Sequence, residues 1–376
     1  MTSVNLTNYS VSRNNYKSLA RVCKDERVEN VVIIGGKRAM KAANSLIKEA
    51  LQDTEIKVLG EFVYGKNSTN SNIEKLLKKN EVKDADVVFA VGGGKAIDTA
   101  KVIADRLNKD CYSFPTICSN CSSATAIAVI YNDDGSFSHY EDKIKAPSHI
   151  FINIEILAKA PEIYMWAGVG DGLSKEAEVL FAMRGQDLNH VAKLGKAIAK
   201  SCQEPFLKYG QQAIEDCKNN KSSKAIEEVA MDIFINTGNV SNLTNQKDFY
   251  YNSSLAHAFY NASCSVKREG HFEHGEVVSF GVLVLHAYDR NLNELDKIGR
   301  FNKKVGLPTK LSDLNLKIDD LEQIADEAMK TNEWKKAKVE LSRENFIEAI
   351  KVADQYGKAL DDEMKIEKAS YEKIAK

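Results

Sequence analysis

The chain has 376 residues, 43% of them hydrophobic and 28% charged, with a formal net charge of −1. That length exceeds one ordinary hydrophobic core and implies two domains. The near-zero charge gives no electrostatic footprint for nucleic acid or an anionic membrane, and no apolar run approaches the roughly 18 residues of a membrane span.

The N-terminal stretch MTSVNLTNYSVSRNNYK has no apolar h-region, so no secretory signal is expected. Next come alternating strand and helix patterns. ENVVIIGG (29–36) is an apolar run ending in glycines, and KRAMKAANSLIKEALQ follows at helical period. EIKVLGEFV (55–63) predicts a second strand and NSNIEKLLKKNEV a helix. ADVVFAVGGGKAIDTAKVIADRL (85–107) reads as strand, glycine turn and helix. CYSFPTI and TAIAVIYNDDGSFSHY add strands, the latter turning at Asp133-Asp134-Gly135. Strands that alternate with helices predict a parallel sheet covered on both faces, an α/β dinucleotide-binding type of domain. From INIEILAKAPEIYMWAGVGDGLSKEAEVLFAM onward the patterns are helical. The expected division is therefore 1–158 for the α/β domain and 159–376 for an all-α domain.

Seven cysteines, Cys23, Cys111, Cys118, Cys121, Cys202, Cys217 and Cys264, are odd in number and scattered. They form no disulfide framework and fit a reducing cytoplasm. Cys118-Ser-Asn-Cys121 has the CxxC form, but no second CxxC accompanies it, so a redox or structural zinc role is disfavoured.

Two stretches carry chemistry. VGGGKAID (91–98) follows the apolar strand 87–91 and opens a helix. Glycines there let a backbone approach a diphosphate, and the helix N-terminus offers N–H groups and a positive dipole end. The alternative is a tight structural turn. GVGDGL (168–173) has no preceding strand and is not read as a phosphate turn. AHAFYNASCSVKREGHFEHGE (256–276) holds His257, His271 and His274, three of the seven histidines. Nothing inside that stretch decides between a metal site and surface histidines.

VGGGKAIDTAK, PTICSNCSSATAIAVIY, AGVGDGLSKEAE, AHAFYNA and HGEVVSFG occur in one order and spacing. Together they resemble the iron-containing alcohol dehydrogenase superfamily, most closely its glycerol dehydrogenase-like branch, over about residues 28–312. The resemblance implies a dehydroquinate synthase-like architecture, with a Rossmann-like α/β domain, an all-α domain and the site in the cleft between them. It implies Asp171, His257 and His274 as ligands of a divalent metal, zinc first and iron second. One carboxylate and two imidazoles leave a coordination position open, as catalytic sites do. An ion there would lower the pKa of a substrate hydroxyl, so that hydride can leave for a nicotinamide. The resemblance further implies that Gly93, Gly94 and Lys95 meet the diphosphate of NAD(P). Thr116, Thr125, Ile127 and Tyr131 match positions lining the nicotinamide half. Asp98 is read as bracing the turn, and His271 as solvated.

Three departures from the family pattern bear on substrate and cofactor. SNCSS (119–123) stands where glycerol dehydrogenases usually read STDAP, so a polyol-binding aspartate becomes Cys121. A thiol cannot accept two hydroxyl hydrogen bonds. Lys175 stands four residues after Asp171, where many iron-dependent members have a histidine ligand. It is either a solvated helix residue or a cation serving catalysis and substrate binding. Both changes favour a carboxylate-bearing substrate and resemble the hydroxycarboxylate dehydrogenase-like subgroup. Thirdly, Gly35-Gly36-Lys37-Arg38 lacks the aspartate that NAD-preferring members often place there. Lys37 and Arg38 are expected at a 2′-phosphate, unless they are simply solvated.

The expected protein is thus a cytoplasmic, metal-dependent NAD(P)-linked dehydrogenase or reductase for a small hydroxy or carbonyl compound, leaning to 2-hydroxy and 2-oxo acids. A homo-oligomer without nucleic-acid or membrane partners is expected. The alternatives are a glycerol or other polyol dehydrogenase, a sugar-phosphate cyclase, and an inactive dinucleotide-binding paralogue.

Overall fold

The computed structural model describes residues 4–141 and 144–374. Eight strands come first: β1 (Asn8–Ser12), β2 (Asn30–Gly35), β3 (Lys57–Val63), β4 (Val87–Gly92), β5 (Asp110–Pro115), β6 (Ala128–Tyr131), β7 (Phe137–Glu141) and β8 (His149–Asn153). Six of them form a sheet in the order β1-β8-β5-β4-β2-β3, and every pairing in it is parallel. β6 and β7 form the separate antiparallel hairpin expected around Asp133-Asp134-Gly135.

The central strands are apolar throughout because both their faces are covered. Val31 and Ile33 of β2, with Val87, Phe89 and Val91 of β4, enter one core with the Lys37–Leu51 helix. Val32, Ile34, Val88 and Ala90 point the other way. They pack with Ile97, Ala100 and Ile103 of the Gly94–Arg106 helix. β1 was not foreseen. Its sequence, NYSVS, lacks an apolar alternation because it lies at the sheet edge, in parallel register with β8.

The chain divides into two compact units, Met1–Gly168 with Lys208–Leu243, and Val169–Leu207 with Thr244–Lys376. These are not the chain-continuous domains anticipated at 158/159. The first unit recruits a distant helical segment. Asn242 donates to Ala124 O at 2.8 Å and accepts from Ala126 N at 2.8 Å. Such non-local bonds leave no local mark in the sequence.

The second unit is helical apart from a two-residue ladder pairing Asn245–Gln246 with Phe249–Tyr250. Its central element is the His274–Tyr288 helix, buried at every position from Gly275 to Ala287 except Glu276. An all-round apolar helix of this kind belongs in a core. Among the described residues, no helix is long and apolar enough to cross a membrane.

Candidate active site

Three helices each deliver one residue of the second unit to a cluster. Asp171 is the penultimate residue of the Glu162–Gly172 helix. His257 lies in the first turn of the Leu255–Ser263 helix. His274 opens the His274–Tyr288 helix, where Glu273 and Glu276 form a reciprocal capping box. Two close backbone approaches set the spacing. A Cβ on Gly170 would lie 2.4 Å from the Gly275 carbonyl oxygen, and one on Gly281 would lie 2.5 Å from that of Ala256. Only glycine permits either contact. The first brings Asp171 beside His274, and the second brings His257 down onto the same helix.

The result is compact. Oδ1 of Asp171 lies 3.1 Å from His274 Nε2 and 3.6 Å from His257 Nε2. One donor atom from each of the three residues falls within 4.8 Å of the others. All three ligands implied by the motif matching are therefore brought together. His271 is not among them: its side chain is 89% exposed and pairs with Glu273.

Sequence reasoning missed the residue behind the cluster. Glu178 is fully buried and accepts three hydrogen bonds, from the backbone N–H groups of Ser254 (2.7 Å) and His257 (2.9 Å) and from His257 Nδ1 (2.6 Å). With Nδ1 committed as a donor, the ring presents Nε2 toward Asp171. Burial pulls the His257 pKa down, but Glu178 first, and then Asp171, outweigh it and raise it to about 10. Burial pushes the Asp171 carboxyl up, yet the charge of His274 and hydrogen bonds from both imidazoles bring it far below the usual range. Two ionised carboxylates around converging imidazole nitrogens favour positive charge there. That donor set fits a divalent transition ion. The available signal was Glu178 standing seven residues after Asp171, two helical turns on.

Lys175 has a different setting from either expectation. It is only 4% exposed. Its Nζ donates to the Asn252 backbone carbonyl at 3.0 Å and to Asn252 Oδ1 at 2.7 Å. Next to Asn252, Ser253 donates to the buried Glu333 at 3.1 Å. The segment leading into the His257 helix is thus held at three consecutive residues by Lys175, Glu333 and Glu178.

The glycine turn lies in the first unit. Gly93 precedes the Gly94–Arg106 helix, and no side chain caps that helix start. Lys95 Nζ sits 4.9 Å from the centre of the Tyr131 ring. Thr116 is buried, and its N–H bonds to Gly92 O at 3.0 Å. The loop holding Cys121 borders the turn, since a Cβ on Gly94 would lie 3.2 Å from Asn120 Nδ2 and 3.3 Å from Ser122 Oγ. Cys121 is partly exposed, whereas Cys118 is buried with its thiol pushed well up by burial; neither is in a disulfide. Thr125 is buried with its hydroxyl turned inward, and Ile127 is half-buried. Lys37 and Arg38 are exposed at the start of a helix whose N-cap, Gly36, offers no side chain. Gly36 N bonds to Val91 O at 3.2 Å, so this basic pair starts beside the glycine turn.

A parallel sheet with a glycine turn at a strand end, and a separate helical unit with a carboxylate–imidazole cluster, define the class: a two-part dehydrogenase-like fold. Comparison with known proteins makes the class specific. Residues 10–161 match the model of the iron-containing alcohol dehydrogenases. Glycerol dehydrogenase of Thermotoga maritima is 30% identical, over 79% of this chain and 82% of its own. Hydroxycarboxylate dehydrogenase A of Escherichia coli is also 30% identical, over 84% of this chain and 86% of its own. The crystal structure of glycerol dehydrogenase from Schizosaccharomyces pombe shares the fold, with a TM-score of 0.81 at 23% identity, covering 97% of this chain and 93% of that one. The chain belongs to the iron-containing alcohol dehydrogenase family. It is an oxidoreductase acting on CH–OH groups.

Proposed function

We propose that the protein transfers hydride between NAD(P) and a small hydroxy or carbonyl compound, with a divalent ion held by Asp171, His257 and His274. The observation that carries this reading is the convergence of those three donors, with Glu178 fixing the His257 ring. When bound, the ion supplies Lewis-acid stabilisation of negative charge on the substrate oxygen. Asp171 and the two Nε2 atoms hold it, and Glu178 keeps His257 in the tautomer that can bind. Gly93, Gly94 and Lys95 would receive the cofactor diphosphate at an uncapped helix start. Thr116, Thr125, Ile127 and Tyr131 would flank the nicotinamide half, and Lys37 and Arg38 would receive a 2′-phosphate.

The substrate class rests on Cys121. A neutral thiol replaces the aspartate that the polyol pattern has there, which removes a carboxylate that would repel an anionic substrate. We therefore favour 2-hydroxy and 2-oxo acids. A polyol substrate is the second reading, favoured by the equal identity to the Thermotoga glycerol dehydrogenase. The seven cysteines, none of them in a disulfide, accord with a reducing cytoplasm, and a homo-oligomer is proposed, with light scattering as its check.

The test is a panel of polyols, aldehydes and 2-oxo acids run with NADH and NADPH, with chelator-treated and zinc- or iron-reconstituted enzyme. Activity is expected only with metal, and highest with a 2-oxo acid. Cys121→Asp should move preference toward polyols. Full turnover after complete metal removal would sink the metal assignment. Glycerol oxidised much faster than any 2-hydroxy acid would overturn the substrate class.

A further inference from the structure

Two turns into the helix that begins at the glycine turn lies Lys101, whose side chain is 0% exposed. A lysine buried this deeply must spend its three N–H bonds inside the protein. Its Nζ donates to three main-chain carbonyls of one loop: Ser122 O at 2.8 Å, Thr125 O at 3.1 Å and Ile127 O at 2.5 Å. Asp98, one turn earlier, lies 2.9 Å from the ammonium and accepts the Val129 N–H at 3.0 Å. Residues 125–127 belong to no helix or strand. Side chains hold this segment where a sheet ladder would otherwise do so. Further bonds hold its start: Asn242 donates to Ala124 O and accepts from Ala126 N, Thr7 donates to Ala124 O at 3.0 Å, and Ser113 donates to Ser123 O at 2.6 Å.

The geometry points to Lys101 as the positioning residue of the cofactor loop, with Asp98 as its counter-charge and Asn242 as the second clamp. The inference rests on the proposed placing of the nicotinamide half against Thr116, Thr125, Ile127 and Tyr131. One helix carries the diphosphate turn at its start and the loop's anchor two turns on. The two halves of the cofactor site are thereby set at a fixed distance. Three carbonyls converging on one point match a tetrahedral ammonium, which presents three divergent donors. A planar guanidinium presents its donors in a fork and cannot reproduce the arrangement.

The test replaces both charges at once. A buried ion pair exchanged for neutral groups of similar volume usually leaves a protein folded, whereas removing one partner strands the other charge. Asp98→Asn with Lys101→Met strands no charge but leaves three carbonyls without their donor, so the variant should fold with a lowered melting temperature and the metal content of the parent. NAD(P)H affinity, read by quenching of protein fluorescence, should fall at least tenfold. The KM for cofactor should rise by the same factor while kcat at saturating cofactor stays within about twofold. Amide hydrogen exchange should accelerate across residues 122–129 only. Asn242→Ala, which disturbs no charge, should move cofactor affinity in the same direction by a smaller factor, and it carries the test if the double variant does not fold. Unchanged cofactor affinity in both folded variants, or in Asn242→Ala alone if only it folds, would overturn the inference. So would equal losses in kcat and in affinity. A parent enzyme that binds neither NADH nor NADPH would instead overturn the functional reading on which the inference rests.

Discussion

The Asp171 cluster of the second unit and the Lys101 clamp of the first both bury charge, but they dispose of it in opposite ways. Lys101 gives its N–H bonds to the carbonyls of residues 122, 125 and 127, and Asp98 balances its charge. No N–H of the ammonium is left over for a ligand. Asp171 is held near two imidazoles whose Nε2 atoms both face Oδ1. The cluster favours a cation between the three donors. A buried charge with its bonding spent builds scaffold, and one with bonding in reserve builds a site. The contrast sorts the remaining charged residues and says what each should do when removed.

Glu178 tests it most severely, because its bonding is spent on His257, a proposed metal ligand, rather than on a substrate. Glu178→Gln keeps the shape but weakens the grip on His257 Nδ1 and on two backbone N–H groups. Loss of the partner behind a ligating histidine typically costs about 10–100-fold in metal affinity. A metal-competition titration against a fluorescent chelator should show a fall near the upper end of that range. Substrate preference among reconstituted samples should not change. Parent-like metal affinity would mean that Glu178 serves only the fold.

How far the sequence reached follows the same division. Strands β2 and β4 were legible because burial on both faces forces continuous apolar runs, while the polar edge strand β1 was not. Asp171, His257 and His274 were legible through motif matching. Their convergence was not, because it depends on Gly170 and Gly281 letting helices close to contact. Lys101 carried a faint signal, a charged residue in the otherwise apolar run of its helix. Its partners are backbone carbonyls, which have no letter in the sequence. The recruitment of 208–243 into the first unit was invisible for the same reason. Glu178 was legible in principle from helical spacing, but Leu173 separates two helices between it and Asp171, which weakens that inference.

Exposed cations with bonding in reserve should behave as ligand groups. Lys37 and Arg38 begin an uncapped helix next to the glycine turn. A charge-assisted phosphate contact contributes about 1.5 kcal/mol or more, on the order of tenfold in affinity. Lys37→Ala with Arg38→Ala should therefore lower kcat/KM for NADPH about tenfold relative to NADH. Melting temperature should be unaffected, because both side chains are exposed. A cofactor ratio left unmoved by the double change would place the pair among ordinary solvated residues.

Lys175 gives the smallest expected effect and the finest discrimination. From sequence it stood as a candidate substrate contact, one turn beyond Asp171. In the structure Asn252 accepts two of its three N–H bonds, which moves it toward the spent class. Lys175→Met keeps the buried volume but leaves the Asn252 carbonyl and Oδ1 without that donor. An unsatisfied buried acceptor costs about 1–3 kcal/mol. The strain falls on the segment that Ser253 and Ser254 also pin, at the start of the His257 helix. Activity should drop a few-fold, by the same factor for a 2-oxo acid and for a neutral aldehyde of similar size, with a lowered melting temperature. A scaffold role predicts that uniformity, since displacement of His257 affects every substrate alike. A direct contact with a substrate carboxylate predicts a loss confined to the acid, on the order of tenfold, with little change in melting. The ratio of the two kcat/KM values decides the matter: a selective loss would return Lys175 to the substrate, and breaks the rule that spent charges build scaffold.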